Sequence, residues 1–75
     1  MIILSEIRSN LQKAIKQSGM SQKDICEKIG IRQATMSQYM SGRAMPALDT
    51  LANLCVQLDL DANEILGVSK EKNII

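Results

Sequence analysis

The sequence predicts an all-α fold of five short helices in one small domain. Three observations carry this. Apolar residues recur at helical spacing in each of five segments. Gly or a capping residue punctuates the joints between segments, and no stretch alternates with the period of a strand. The chain has 75 residues and one aromatic, Tyr39, so the core must be aliphatic and small. With no disulfide or metal expected, such a chain relies on efficient helix packing or self-association.

The first helix is expected over about Ser5 to Ser18. Leu4, Ile7, Leu11, Ala14 and Ile15 form its buried stripe, Ser5 serves as its cap, and Gly19 stops it. Glu6, Asn10, Lys13 and Lys16 fall on the opposite face. The second helix opens on Ser21, with Asp24 three residues on in a capping-box arrangement, and closes at Gly30. The third spans about Gln33 to Met40. Its cap position is Arg32, a poor capping residue whose cation also faces the positive end of the helix dipole. Ser41-Gly42 ends it. Pro46 is placed in the first turn of the fourth helix, where its missing N–H costs nothing. Leu48, Leu51, Leu54, Cys55 and Leu58 form that helix's buried face, and it ends near Asp59. Asp61 caps the fifth helix with Glu64 as box partner. Ala62, Ile65 and Leu66 face inward, and Gly67 closes it. The domain core is expected over about 5–67, with 68–75 as a frayed tail.

Charge is unevenly spread. Residues 1–43 hold seven basic side chains against three acidic, and residues 44–75 hold two against five, for a formal net charge of +1. A basic half suits a polyanion, although a solvated surface split by chance gives the same count. Met1 to Leu4 is too short for the apolar region of a signal peptide and no run reaches membrane-spanning length, so the expected place is the cytoplasm. Cys26 and Cys55 lie on apolar faces and are read as buried free thiols. With no His in the chain, neither a metal site nor an acid–base catalytic assembly is visible, and no cofactor, small-molecule substrate or enzymatic activity is expected.

Residues Gln22 to Tyr39 carry the functional signal. Apolar or small residues at 25, 26, 29, 31, 36 and 39 let two short helices pack across a tight turn, with Gly30 free to take the left-handed conformation at the corner. The outward residues of the second segment are Gln33, Ala34, Thr35, Ser37 and Gln38. They are small or amide-bearing, which suits reading base edges in a DNA groove. Taken singly, Gln22, Gln33, Thr35 and Ser37 could each be ordinary solvated residues; the paired glutamines around a Gly turn point the other way.

The chain resembles the DNA-binding domain of lambdoid phage repressors and Cro proteins. The matching residues are Ser21-Gln22, Ile25-Cys26, Ile29-Gly30-Ile31, Gln33, Thr35-Met36-Ser37, Ser41-Gly42-Arg43, Pro46, Leu48-Asp49-Thr50-Leu51 and Leu58-Asp59-Leu60, within about residues 7–66. The resemblance implies a helix-turn-helix at helices 2 and 3, with helix 3 in the major groove and helix 2 across the backbone. It implies that Gln22 touches a phosphate and steadies Gln33, which reads an adenine through its amide fork. Base reading is expected from Gln33, Ala34, Thr35, Ser37 and Gln38, and phosphate contact from Ser21, Gln22, Lys23, Arg32, Ser41 and Arg43. The implied function is a transcriptional regulator, a repressor in most such proteins, binding a short palindromic double-stranded operator as a homodimer. Helix 5 and the apolar tail, through Ile65, Val68, Ile74 and Ile75, are the expected dimer contact. A helical protein-binding module, such as an antitoxin component, is the alternative.

Three departures from the family pattern stand out. Arg32 replaces the usual Ser or Thr cap, which suggests that cap stability is given up for a contact with phosphate or guanine. Ile15 and Met40 occupy the places of an Arg–Glu pair, an exchange that apolar packing tolerates. Asp59 replaces the Gly that commonly ends helix 4 and must adopt a left-handed turn.

Overall fold

The computed structural model describes residues 1–71. It contains α1 (Leu4–Gln17), α2 (Gln22–Ile29), α3 (Gln33–Ser41), α4 (Leu48–Leu58), α5 (Ala62–Leu66) and a single turn, α6 (Val68–Glu71). Every regular element among the described residues is a helix, as expected. The one addition is α6, which orders the first part of the expected tail; Ile74 and Ile75 lie outside the described residues.

The core is aliphatic with one ring. Leu11 and Ile15 of α1, Ile25 and Cys26 of α2, Met36 and Tyr39 of α3, Leu51, Leu54 and Cys55 of α4, and Ile65 of α5 form it. Leu11, Ile25, Met36 and Leu54 are its fully enclosed side chains. Each contributes roughly 1.5–3 kcal/mol by leaving water, and together they join four of the helices. Helix α2 packs on both α3 and α4, and α1 packs on α5. Ile15 and Met40, the apolar substitutes for an ion pair, are respectively in this cluster and against it.

Several boundaries differ from the sequence reading. Helix α1 starts a residue early, because the N–H groups of Glu6 and Ile7 both bond to the carbonyl of Ile3. Ser5 is therefore inside the first turn, and no side chain caps that helix. Leu4 is 56% exposed: its spacing matches the stripe, but the end turn overhangs the core. Asn10 is not idle surface; its Nδ2 donates to the carbonyl of Ile65 at 3.2 Å and ties α1 to α5. Pro46 lies outside α4, whose first bond runs from Leu51 N–H to the carbonyl of Ala47 at 2.9 Å. That start turns Leu48 outward, 83% exposed, instead of onto the buried face. Ile65 is 2% exposed and belongs to the core, so it is not surplus surface for a second copy.

Other joints follow the expected chemistry. Ser21 Oγ accepts from Asp24 N–H at 3.1 Å at the start of α2. Asp61 Oδ1 caps α5 through Asn63 N–H at 2.9 Å, without using Glu64. Asp59 takes the left-handed turn that ends α4, with φ 54°. Leu60 N–H then bonds back to the carbonyl of Cys55 at 2.9 Å, which holds Asp59 in that conformation.

Candidate nucleic-acid interface

The corner between α2 and α3 is built by Gly30. Its φ of 74° lets the N–H groups of both Gly30 and Ile31 reach the carbonyl of Cys26, at 2.8 and 3.1 Å. The chain reverses in three residues, and Ile31 is carried back against the core. Two short helices are thereby locked at a fixed angle, with Ile25 and Cys26 facing Met36 and Tyr39 through the interior.

With about 100° per residue, the side chains of α3 divide cleanly. Met36, Tyr39 and Met40 occupy the inward arc. Gln33, Ser37, Ser41, Ala34 and Gln38 occupy a continuous outward arc, and all five are exposed. Thr35 sits at the edge of this arc and is half-buried; it is less available to a groove than its neighbours. The helix contains no charged residue. An uncharged arc of amides, hydroxyls and a methyl is suited to base edges, where every donor and acceptor must find a match.

The start of α3 is unlike the starts of the other four longer helices. Those carry an acid in the first turn: Glu6, Asp24, Asp49 and Glu64. Helix α3 has none, and Arg32 at its cap position makes no side-chain cap. The positive end of the dipole, its first N–H groups and a guanidinium are thus left together at the surface. An anion placed there would satisfy all three.

The flanks are basic or donor-bearing. Ser21, Gln22, Lys23, Arg32, Ser41 and Arg43 are all exposed. Their hydrogen bonds separate them. Ser21 Oγ accepts from Asp24 N–H, which leaves its own proton free to donate to a phosphate. Ser41 Oγ already donates to the carbonyl of Gln38 at 3.1 Å. A phosphate offers only acceptors, so Ser41 must surrender that bond to reach one. Among the described residues no hydrogen bond joins Gln22 to Gln33; each opens its own helix and is free to turn toward a ligand.

The family model for helix-turn-helix proteins matches residues 11–65, most of α1 through α5. The chain belongs to the Cro/repressor-type helix-turn-helix family. This is a family of DNA-binding regulators, and the helix-turn-helix here consists of α2, the Gly30 corner and α3. The chain has no match among curated proteins or among solved structures.

One groove away from the helix-turn-helix is unsuited to DNA. A groove of about 1020 Å³ runs between α1 and the α4–α5 joint, and its lining includes Glu6, Asp59, Asp61 and Glu64 against Lys13 alone. That acidic excess repels phosphate. The cysteines also stand apart from the site. Burial pushes both thiols above their ordinary value, with Asp61 adding to the rise at Cys55. They stay protonated and behave as small apolar fillers. No described helix is long and apolar enough to cross a membrane.

Sequence reasoning missed the links between α1 and the end of α3. Gln12 Nε2 donates to the carbonyl of Tyr39 at 3.3 Å. The Arg8 side chain lies against Gly42, its Cδ 3.2 Å from where a Cβ on that glycine would stand. Arg8 and Gln12 are four residues apart and so share a face of α1. That spacing was the available signal, but nothing local says what the face meets.

Proposed function

We propose that this chain is a sequence-specific transcriptional regulator, a repressor, that reads an operator half-site with α3 in the major groove. The observation that carries the reading is the acid-free, uncapped start of α3, set beside an exposed and uncharged arc. Gln33 supplies the bidentate amide for an adenine, worth about 1–3 kcal/mol of discrimination. Ala34 and Gln38 extend the reading along the arc, with Ser37 beside them and Thr35 at its margin. Ser21, Gln22, Lys23, Arg32 and Arg43 hold the phosphates, and Ser41 does so once its hydroxyl leaves Gln38. Such a regulator works in the cytoplasm on double-stranded DNA and needs no cofactor.

On a palindromic operator two copies would bind half-sites about one helical turn apart. With Ile65 in the core, a second surface is a candidate for the dimer beside the tail. Leu48, Ala52 and Val56 form an exposed apolar row on α4, at i, i+4 and i+8. The row is self-complementary: antiparallel pairing sets Ala52 near a two-fold axis and each Leu48 against the other copy's Val56. Three side chains fall far short of the ~800 Å² per partner of a stable interface, so this pairing is expected on DNA and not in free solution.

The same row supports the competing reading, a protein-binding module that keeps the fold without DNA. Selection of bound duplexes from a random pool, followed by salt titration, separates the two. A palindromic consensus whose affinity falls steeply with salt is expected of the regulator. Recovery of no consensus, with binding to duplex DNA undetectable at low salt, would leave only the protein-binding module.

A further inference from the structure

We propose that Arg8, on α1, is a DNA-backbone contact that works with Arg43 at the Gly42 turn. This rests on the DNA-binding reading above and extends the contact surface to a helix outside the helix-turn-helix.

The argument starts from where the guanidinium is held. Arg8 is half-buried, and its alkyl stem lies over Gly42, with Cδ and Nε at 3.2 and 3.8 Å from the position a Cβ would take. Gly42 stands at the end of α3 with φ 82°, between Ser41 and Arg43. The left-handed backbone favours a glycine there, and a Cβ would press on the Arg8 stem. The cation is therefore placed by packing beside the turn from which Arg43 projects.

Among the described residues Arg8 has no counterpart. Its Nε is buried without a hydrogen-bond partner among the described residues. No carboxylate pairs with it there. The obvious internal role would be to cap the end of α3, which has no basic residue in its last turn. Two of those carbonyls, of Gln38 and Tyr39, are already served. Gln38 accepts from the N–H groups of Arg43 and Ala44 at 3.0 and 3.3 Å and from Ser41 Oγ. Tyr39 accepts from Gly42 N–H and from Gln12 Nε2. A guanidinium without a partner among the described residues, its stem packed on Gly42 and its Nη groups the donors left to a ligand, next to an exposed arginine on a helix-ending turn, has the composition of a phosphate clamp. The fork geometry of two arginines suits one phosphate or two in succession, and it carries no base information.

The test uses the full chain and its selected operator, or a duplex of mixed sequence if none emerges, in a salt titration of affinity. Two neutral variants are compared, Arg8→Met, which keeps the stem over Gly42, and Arg8→Gln, which keeps a polar end. Thermal denaturation establishes that each is folded. Losing one phosphate contact lowers the slope of log affinity against log salt by about 0.9. Across a fourfold rise in salt, the folded variants should therefore lose roughly threefold less affinity than the unaltered chain. Arg8→Lys, which keeps the charge, should retain the original slope. A slope unchanged in both neutral variants overturns the proposal and leaves the DNA-binding reading intact. Loss of folding in both also overturns it, since Arg8 would then be structural. Absence of duplex binding by the unaltered chain overturns both readings.

Discussion

Replacing Arg32 with Ser separates stability from DNA binding at one atom group. In the structure the cap position of α3 has extended backbone, φ −77° and ψ 149°, and no side-chain acceptor. A Ser there has the same backbone that Ser21 uses at the start of α2, φ −68° and ψ 153°. It would cap a first-turn N–H, a gain of about 1 kcal/mol. Removing a cation from the positive end of the dipole adds roughly 0.3–1 kcal/mol. A domain of this size gains about 4–8 °C in Tm for each kcal/mol, so Arg32→Ser should melt at least about 4 °C higher. Arg32→Ala isolates the charge: it removes the repulsion without adding a cap, and its rise should be smaller. Binding should move the other way. If Arg32 holds a phosphate, the salt slope of duplex affinity falls by about 0.9 in both variants. Circular dichroism melts and fluorescence anisotropy at four salt concentrations suffice. A Ser variant that is no more stable, and that binds DNA with the original slope, would refute the reasoning about this helix start.

The remaining predictions concern the turn glycines and the thiols. Gly30→Ala meets open space and should cost only the left-handed backbone, about 1–2 kcal/mol. Gly42→Ala must also displace Arg8 and should melt lower than Gly30→Ala; equal melting temperatures would contradict the packing of Arg8 on Gly42. Cys26 should resist alkylation at neutral pH in the folded chain, and rapid labelling without unfolding would contradict its burial. Because burial raises both thiol pKa values, the unfolded chain ionises first. Stability should be flat across neutral pH and decline as pH rises past the unfolded thiol value of about 8.5. Cys26→Ala should weaken that alkaline decline.

What the sequence reveals depends on how local each feature is. The helix-turn-helix is legible because Gly30, Ser21 and the apolar positions from Ile25 to Tyr39 act within a few residues of one another. The outward arc of α3 follows from helical period alone, except that Thr35, at its margin, is half-buried by what packs beside it. Leu4 and Leu48 mislead for one reason: both have the right spacing, but each lies on an end turn that the other helices do not cover. Pro46 is compatible with a first helical turn or with the residues before one, and the bond from Leu51 to Ala47 decides it. Arg8 and Gln12 are illegible because their partners, Gly42 and Tyr39, are far along the chain. Only the closed fold brings α1 against the end of α3.

The most direct measurement compares the duplexes selected from a random pool by the unaltered chain and by Gln33→Ala. Reading by α3 predicts that the variant loses its preference at one base pair of each half-site, while its salt slope stays that of the unaltered chain. An identical consensus from both proteins would contradict the claim that this arc of α3 reads DNA.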